Sequence, residues 1–542
     1  MKKFTLAMLL LGTMLGNNLS QGLAQTTTPF QIIGHPETFE LIDNAGTKIP
    51  NPATAPKFSR ARMVVNGMDI LIPNNTVITM PAAYKTPQQL FAEAKGPSST
   101  NKESGLALND QVPPLAAFEA AIDGNIVCNP TCLYVAGLVS ISQQSLNTSA
   151  GFIHMIDPNG VIHVGGDPNA TTAQSQDVRL RLNDPEDSDI TTGRYGLSNT
   201  EQFSPTRIPP PDIPDPRYPD DRFQVDQGNP TVHALTGYPM CVPRAANDPE
   251  CPHKNRPLTD LTIPFHPTTN PRLRTFVMDT QPLIPPIRFA NTPITPCPLC
   301  DQKKQAPFEI GDYVTYAGTL AKDATGTFLS VHTIVADVGI YTKPGQDPAY
   351  VTLEGSLIGT MGPIADCAND AECQDRIVIE GFATDPSRTV NIYALDILPN
   401  QTPKVRLLHS TAKVQAVFGR FRWITGKQAG TLFDATGTVR GATRELMARI
   451  DSSGVLADGT SIPSPPAPSI ANGLTPGLYI APVGEYIFPE PTGVQGRSLP
   501  ALNFQCLAFL VNGWALPDEG SPNIPPLSPW PGTTPATLSC TN

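Results

Sequence analysis

The stretch "GDYVTYAGTL", residues 311–320, decides the fold class that we expect for this chain. It begins with a β-branched and aromatic run, reaches Gly318 and then continues as a strand. Related stretches are "AYVTLEGSLIG", residues 349–359, and "RIVIEGFATDPSRTVNIYALDI", residues 376–397. A glycine inside a strand often marks a bulge or a bend where a small barrel turns a corner. We therefore predict a mainly β protein with several divergent small OB-like barrel units or sandwich units.

The N-terminal half carries further strand patterns. Residues 62–82, "RMVVNGMDILIPNNTVITMPA", combine apolar runs with turn residues at 66–67 and 74–75, which predicts a strand meander. Residues 132–166 add more strands around a turn at 157–160, "DPNG".

Few helices are expected, and all are short. Residues 86–96, "TPQQLFAEAKG", offer Thr86 as an N-cap and Pro87 at the first helical position. Two more short helices are predicted over residues 114–124 and 441–451.

A proline-rich connector separates the β-rich regions. Residues 204–221, "SPTRIPPPDIPDPRYPDD", favour polyproline II and turns, because proline lacks the backbone N–H and restricts φ. Cysteine pairs in this region predict that disulfides hold the connector in shape.

The predicted organisation is a signal peptide (1–24), an N-terminal β unit with a short helix (25–112), a barrel-like unit (113–200), the connector (201–304), a barrel-like unit (305–366), a barrel-like unit with a short helix (367–460) and a proline-rich C-terminal region (461–542).

The ten cysteines fall into neighbouring pairs along the chain. An even number with local spacing in an exported protein predicts short-range disulfides. The predicted bonds are Cys128–Cys132, Cys241–Cys251, Cys297–Cys300, Cys367–Cys373 and Cys506–Cys540. Short loops lose little unfolded-state entropy when they are closed, so most of these bonds should stabilise loop shape rather than the whole fold.

The N-terminus has the pattern of a secretory signal. Lys2 and Lys3 precede an apolar run over residues 4–15, and Gly22 to Ala24 form a small-x-small cleavage pattern. The apolar run is shorter than the roughly 20 residues of a membrane span. We therefore expect a secreted, cell-surface or periplasmic protein without membrane insertion.

The charge balance narrows the range of partners. The formal net charge is −11, and no run of lysine or arginine is present. This pattern argues against binding to nucleic acid or to anionic lipid. The expected partner is an extracellular protein or a polysaccharide.

Four phrases resemble a group of secreted, uncharacterised proteins with repeated small β-barrel units. They are "MVVNGMDILIPNNTVITMPAAY" (63–84), "RLNDPEDSDITTGRYG" (181–196), "RFQVDQGNPTVHALTGYPMCVPR" (222–244) and "LSVHTIVADVGIYTKPGQDPAYVTLEG" (329–355). The resemblance implies repeated barrel units, and it carries no activity or catalytic residue that can be transferred.

Two histidines flank the predicted turn at 157–160. A loop of residues 158–159 places His154 directly opposite His163 on one face, whereas a loop of residues 159–160 places His163 opposite Ile156. The first register would form half of a zinc or copper site, because imidazole is a good ligand for both metals. The alternative is that both are ordinary polar strand residues.

An acidic loop is the second candidate cation site. Residues 182–189, "LNDPEDSD", bring together Asp184, Asp187 and Asp189, and oxygen-rich loops suit Ca²⁺. The spacing of an EF-hand is absent, and the alternative is a solvated acidic turn.

The cysteine pairs of the connector allow a functional and a structural reading. Cys241, Cys251 and the nearby His253 do not form the two close ligand pairs of a zinc site, which favours a structural disulfide. Cys297 and Cys300 have the Cys-x-x-Cys spacing of redox motifs, but Pro307 leaves room for at most one helical turn after them. An inert or strained disulfide is the alternative there.

Reaction motifs are missing from the sequence. It contains no Gly-x-Ser-x-Gly elbow, no His-Glu-x-x-His and no phosphate-binding glycine loop. Residues 420–423, "RFRW", are the densest cationic and aromatic cluster, either as a binding face or as ordinary strand packing. We predict a non-catalytic scaffold or binding protein without a cofactor. The alternatives are an extracellular hydrolase acting on a polymer and an envelope metal-binding or redox protein.

Overall fold

A computed structural model gives the structure of the chain. It describes residues 26–43, 45–51, 54–56, 59–73, 76, 78–79, 84–85, 87–92, 119–128, 131–141, 147–158, 160–182, 232–243, 247–249, 251–284, 293–323, 325–346, 348–359, 371–372, 377–397, 403–413, 419–424, 443–450, 477–487 and 490–491. The predictions for the signal peptide, for residues 204–221, for the acidic aspartates Asp184, Asp187 and Asp189, and for Cys367, Cys373, Cys506 and Cys540 lie outside these ranges.

The described residues are mainly β-strands. The first group is β1 (Thr26–Gly34), β2 (Pro36–Ile42), β3 (Arg60–Val65), β4 (Met68–Ile72), β5 (Ile78–Thr79), β6 (Tyr84–Lys85), helix α1 (Pro87–Ala92), β7 (Ala120–Cys128) and β8 (Cys132–Ile141). The second group is β9 (Thr148–Ile156), β10 (Ile162–Gly165), β11 (Val178–Leu182), β12 (Val232–Ala234), β13 (Met240–Cys241), β14 (Thr275–Met278), β15 (Ala306–Pro307), β16 (Tyr313–Asp323), β17 (Gly326–Ala336) and β18 (Gly339–Thr342). The third group is β19 (Val351–Gly359), β20 (Ala371–Glu372), β21 (Ile377–Ala383), β22 (Thr389–Ile397), β23 (Pro403–Lys413), β24 (Arg420–Ile424), β25 (Thr443–Ile450), β26 (Leu478–Pro482), β27 (Glu485–Ile487) and β28 (Glu490–Pro491).

Strand pairing in the first group runs in a closed circuit. β1 and β2 are separated only by His35, and they act as one bent strand that pairs with β7 at one end and with β3 at the other. β3 pairs with β4, β4 lies parallel to β8, and β8 pairs with β7. We count β1 with β2 as the first strand of this circuit, and β3, β4, β7 and β8 as the second to the fifth. The first strand then pairs with the second and the fourth, and the third lies parallel to the fifth.

The second group repeats this connectivity. β9 pairs with β10 and β16, β10 pairs with β11, β11 lies parallel to β17, and β17 pairs with β16. The whole of the predicted connector, residues 201–304, lies between β11 and β16 in the chain, so it is inserted within one set of paired strands. Leu320 packs against the cores of both groups, and Phe328 belongs to the first core, so the two groups are in contact.

Two four-stranded sheets and the two-stranded pair β20–β28 make up the third group. Their strand orders are β24-β21-β19-β27 and β23-β22-β25-β26. Apolar side chains of both sheets form a single core, which includes Val351, Ile379, Ile392, Phe421, Leu446 and Ala448. The two sheets therefore pack face to face.

Glycines do mark bulges in these strands. The pairing register shifts next to Gly318 in β16 and next to Gly355 in β19. Gly381 shows the steric reason for a glycine, because a Cβ atom there would overlap the carbonyl oxygen of Thr352 and lie 2.5 Å from the Phe421 ring. Only glycine lets the neighbouring strand and ring approach so closely.

Two of the three predicted helices are wrong within the described residues. Residues 120–124 belong to β7 and residues 443–450 form β25. β25 pairs with a strand on each side, β22 and β26, and its residues 446–450 are buried on both faces. These tertiary pairings override the helical propensity of its Glu, Leu and Met residues. The helix predicted at residues 86–96 is present in part as α1, which begins at Pro87.

No helix among the described residues is long and apolar enough to cross a membrane.

Candidate functional site

Two of the predicted disulfides are present in the connector. Cys241 bonds to Cys251 and Cys297 bonds to Cys300. Cys132 is also disulfide-bonded, and the register of β7 and β8 places Cys128 directly opposite it. Disulfides persist in oxidising compartments, so these bonds indicate an oxidising environment for the protein.

The two candidate metal-binding histidines do not lie opposite each other. His163 is opposite Met155, and His154 is the extra residue of a bulge in β9. Neither predicted register occurs, because the loop has three residues and Gly160 closes it at φ 76°. His154 instead lies buried with its Nδ1 atom 3.0 Å from Oδ2 of Asp177.

The described ranges hold no group of three or more His, Cys, Asp or Glu side chains that could bind a metal ion. His163 has one acidic neighbour, Asp157, whose Oδ2 atom lies 3.9 Å from its Nε2 atom. The histidines are thus placed in two separate carboxylate contacts.

A buried ion pair anchors the connector, and sequence reasoning missed it. The Arg256 guanidinium donates to both carboxylate oxygens of Asp312 at 2.7 Å, and it also donates to the carbonyl of Pro307. The Arg256 side chain is 0% exposed and the Asp312 side chain is 4% exposed. Nothing in the local pattern "HKNRP" marks this arginine as buried, because its partner lies in the loop before β16.

A second carboxylate next to this pair holds a histidine. Oε1 of Glu309 lies 2.9 Å from Nδ1 of His253 and 3.4 Å from Nε of Arg272. Glu309 is buried, whereas the His253 side chain is 39% exposed. The arrangement orients the imidazole.

Asn255 fastens the loop after the second disulfide. Its Nδ2 atom donates to the carbonyls of Asp301, Lys304 and Gln305, and its Oδ1 atom accepts from the backbone N–H of Asp301. One fully buried amide thereby satisfies the backbone of an irregular loop. The connector is held by buried polar side chains as well as by disulfides.

An exposed charged cluster lies on the outer face of the third group. Nη2 of Arg420 lies 2.5 Å from Oε2 of Glu380, and Nε of Arg422 contacts the other oxygen, Oε1, of the same carboxylate. The side chains of Arg420 and Arg422 are 43% and 52% exposed. One carboxylate therefore fixes two solvent-facing guanidinium groups.

Glu354 joins this cluster through a bulge. Leu353 pairs with Gly381 and Gly355 pairs with Glu380, so Glu354 is the extra residue of β19 beside Glu380. Desolvation raises the pKa of Glu354 to about 7, Arg420 opposes the rise and the like charge of Glu380 adds to it. Solvent reaches the exposed Glu354 side chain, which reduces the effect of desolvation.

The aromatic residues of "RFRW" do not share this face. Phe421 is buried in the core and Trp423 packs against it. The Trp423 ring stacks on His409 of β23 with centroids 4.9 Å apart. Strand alternation thus separates the two arginines from the two aromatic rings.

Comparisons with protein-family models, with curated proteins and with solved structures find no match for this chain.

Proposed function

We propose that the chain is an exported, non-catalytic binding protein, and that the outer face of β19, β21 and β24 binds a neutral polysaccharide. The observation that carries this proposal is the exposed Arg420–Glu380–Arg422 array. Its location outside the cell follows from the sequence expectation of a signal peptide and is supported by the disulfides.

The array suits a ligand rich in hydroxyl groups. A guanidinium has five N–H donors, and Arg420 and Arg422 each direct one nitrogen at Glu380. The carboxylates of Glu380 and Glu354 are acceptors. A sugar hydroxyl both donates and accepts, so a mixed array of donors and acceptors complements it. The shared carboxylate also holds the guanidinium groups in place before binding, which lowers the entropic cost of association.

Charge favours a neutral polymer over an anionic one. Two arginines and two carboxylates leave the cluster without a net positive charge when all four are ionised. The whole chain has a formal net charge of −11, which repels polyanions at long range.

We also propose that the first two groups of strands are OB-like barrel units. In both, the first strand pairs with the second and fourth, and the third lies parallel to the fifth. This five-stranded Greek-key connectivity is that of the OB-fold, which includes oligosaccharide-binding proteins. This shared connectivity supports the proposal that the first and second groups of strands are divergent copies of one unit.

Electrophoresis in gels containing a soluble polysaccharide tests the binding proposal. We expect neutral glucans or xylans to retard the protein and polygalacturonate to have little effect. The Arg420→Gln/Arg422→Gln variant should bind about tenfold more weakly or worse, since it loses two charged donors. Arg62→Gln is the matched control, because Arg62 forms a similar exposed pair with Asp69 on another sheet. Retention of full binding by the double variant, or no retardation by any neutral polymer, would overturn the proposal.

The same cluster favours a second candidate, an extracellular hydrolase acting on a polymer. Glu354 and Glu380 are neighbouring carboxyl groups in different environments, one with a raised pKa and one held by two arginines. Such a pair suits a general acid and an ionised partner. Release of reducing ends from a bound polysaccharide, abolished by Glu354→Gln, would favour this candidate over the non-catalytic one.

A further inference from the structure

The Cys297–Cys300 disulfide differs from its neighbour in its access to solvent. Cys297 is buried at 3% exposure, whereas Cys300 is partly exposed and follows Leu299, whose exposed fraction is 65%. Both sulfurs of Cys241–Cys251 belong to residues that are 0% exposed. An external thiol therefore has a path to one connector disulfide and none to the other in the folded protein.

The accessible disulfide closes residues 297–300, directly before the loop that Asn255 holds. The Sγ atoms of Cys297 and Cys300 lie 3.8 Å and 3.5 Å from the carbonyl oxygen of Lys254, the residue before Asn255. The N–H of Cys297 donates to the carbonyl of Val277. The N–H of Cys300 donates to the carbonyl of Cys297, so a hydrogen bond and the disulfide close the same turn.

The surroundings do not resemble those of a thiol oxidoreductase. The reactive cysteine of such enzymes sits at a helix N-terminus, which lowers its pKa. Here Cys300 donates its N–H to the carbonyl of Cys297 in a turn, and residues 301–323 contain strands and turns without a helix. These surroundings suit a disulfide that an external thiolate attacks, rather than a cysteine that acts as the nucleophile.

We propose that Cys297–Cys300 is a site of thiol–disulfide exchange with an external dithiol, and that it opens while Cys241–Cys251 stays closed. A thiolate of the dithiol attacks Sγ of Cys300, the S–S bond to Cys297 breaks, and its electron pair leaves on Sγ of Cys297, which takes a proton from solvent. The second thiol of the dithiol attacks the mixed disulfide and releases Cys300 as a thiol. The dithiol becomes a disulfide, and its two electrons reduce the Cys297–Cys300 bond to two thiols.

Opening has a local structural consequence. A neutral Cys297 thiol remains compatible with the apolar core that it contacts, since a buried thiol behaves as a small hydrophobic group. The exposed residues Pro298 and Leu299 lose their covalent restraint. The hydrogen bonds of Asn255 continue to hold residues 301–305. Reduction of the Cys297–Cys300 disulfide therefore changes the loop and leaves the strands in place.

Native reduction followed by alkylation tests the order of opening. The folded protein is treated with dithiothreitol, samples are blocked with iodoacetamide, and peptide mass spectrometry follows each cysteine. We expect Cys297 and Cys300 to be alkylated at least roughly tenfold faster than Cys241 and Cys251, because exchange rates depend on access. The difference should shrink in denaturing guanidinium chloride. Equal native rates, or earlier opening of Cys241–Cys251, would overturn the proposal.

Glutathione identifies the sulfur that is attacked. As a monothiol it should leave a mixed disulfide on Cys300 and a free thiol at Cys297, since only Cys300 has an open approach. A glutathione adduct found mainly on Cys297 contradicts the proposed direction of attack. Circular dichroism of the reduced protein provides the structural control, and loss of the β signal at this stage would contradict a local role of the disulfide.

Discussion

Arg256 and Asp312 form a bidentate ion pair inside the protein, 56 residues apart in the chain. The arginine follows the Cys241–Cys251 loop and the aspartate directly precedes β16. The pair therefore ties the connector to the strands that it interrupts. Glu309 lies beside it, and the Glu309 backbone N–H donates to Oδ2 of Asp312 at 2.9 Å.

Arg256→Ala should strongly destabilise the protein. Removing one partner of a buried ion pair leaves an unpaired buried charge, which costs about 3–5 kcal/mol. Urea unfolding measures the free energy of unfolding. Arg62→Ala is the control, because its exposed pair with Asp69 should contribute at most about 1 kcal/mol. A cost for Arg256→Ala no larger than that of the control would contradict the anchoring role of the pair.

Replacement of both Cys241 and Cys251 by alanine should loosen the connector locally. The bond closes a loop with a sequence separation of 10. Such a loop contributes about 3 kcal/mol at most through chain entropy. Limited proteolysis should show new cuts between residues 234 and 257, while the flanking strands resist. If this region stays resistant in the variant, the buried hydrogen bonds alone hold it and the disulfide is dispensable.

Gly381→Ala should destabilise the third group of strands. The added Cβ would overlap the carbonyl of Thr352 and press on the ring of Phe421. Overpacking of this kind costs about 1–3 kcal/mol or more. Gly355→Ala, in the adjacent strand, is a matched control, since a Cβ there meets nothing within 4 Å. Thermal unfolding compares the two variants, and equal melting temperatures would refute the close approach.

Asp123 should make stability depend on pH. Burial raises the pKa of its carboxyl to about 6, with a hydrogen bond from Gln31 opposing and the charge of Glu485 adding to the rise. The pKa of Asp123 is higher in the folded protein than in the unfolded chain, so the native state binds this proton more tightly. Protonated Asp123 therefore adds to the free energy of unfolding, and this contribution is lost as the pH rises from about 4 to 6.

Asp123→Asn removes that dependence. The variant should be more stable than the parent by at most about 3 kcal/mol above pH ~7 and nearly equal to it at pH ~4, because only the ionised carboxylate is penalised. Urea unfolding at the two pH values measures the difference. A variant that is destabilised equally at both would show that Asp123 contributes as a hydrogen-bonding group rather than through its charge.

Strand content and local cysteine pairing followed from the sequence because both depend on near neighbours. The runs into Gly318 and Gly355 indicated bulged strands, and the register shifts lie at these glycines. The spacing of Cys241 and Cys251 indicated a short-range bond, which is present. The helix predicted over residues 441–451 failed because its segment is held as β25 by distant strands.

The sequence alone thus determined the β class, the oxidising environment implied by paired cysteines, and the positions where strands bend. Only the tertiary structure decided that Arg256 is buried against Asp312, that Glu354 lies in a bulge beside Glu380, and that Cys300 is more accessible than Cys241. The physical reason is that burial and charge pairing depend on residues far away in the chain. Local propensity and spacing carry no information about which distant strand will cover a side chain.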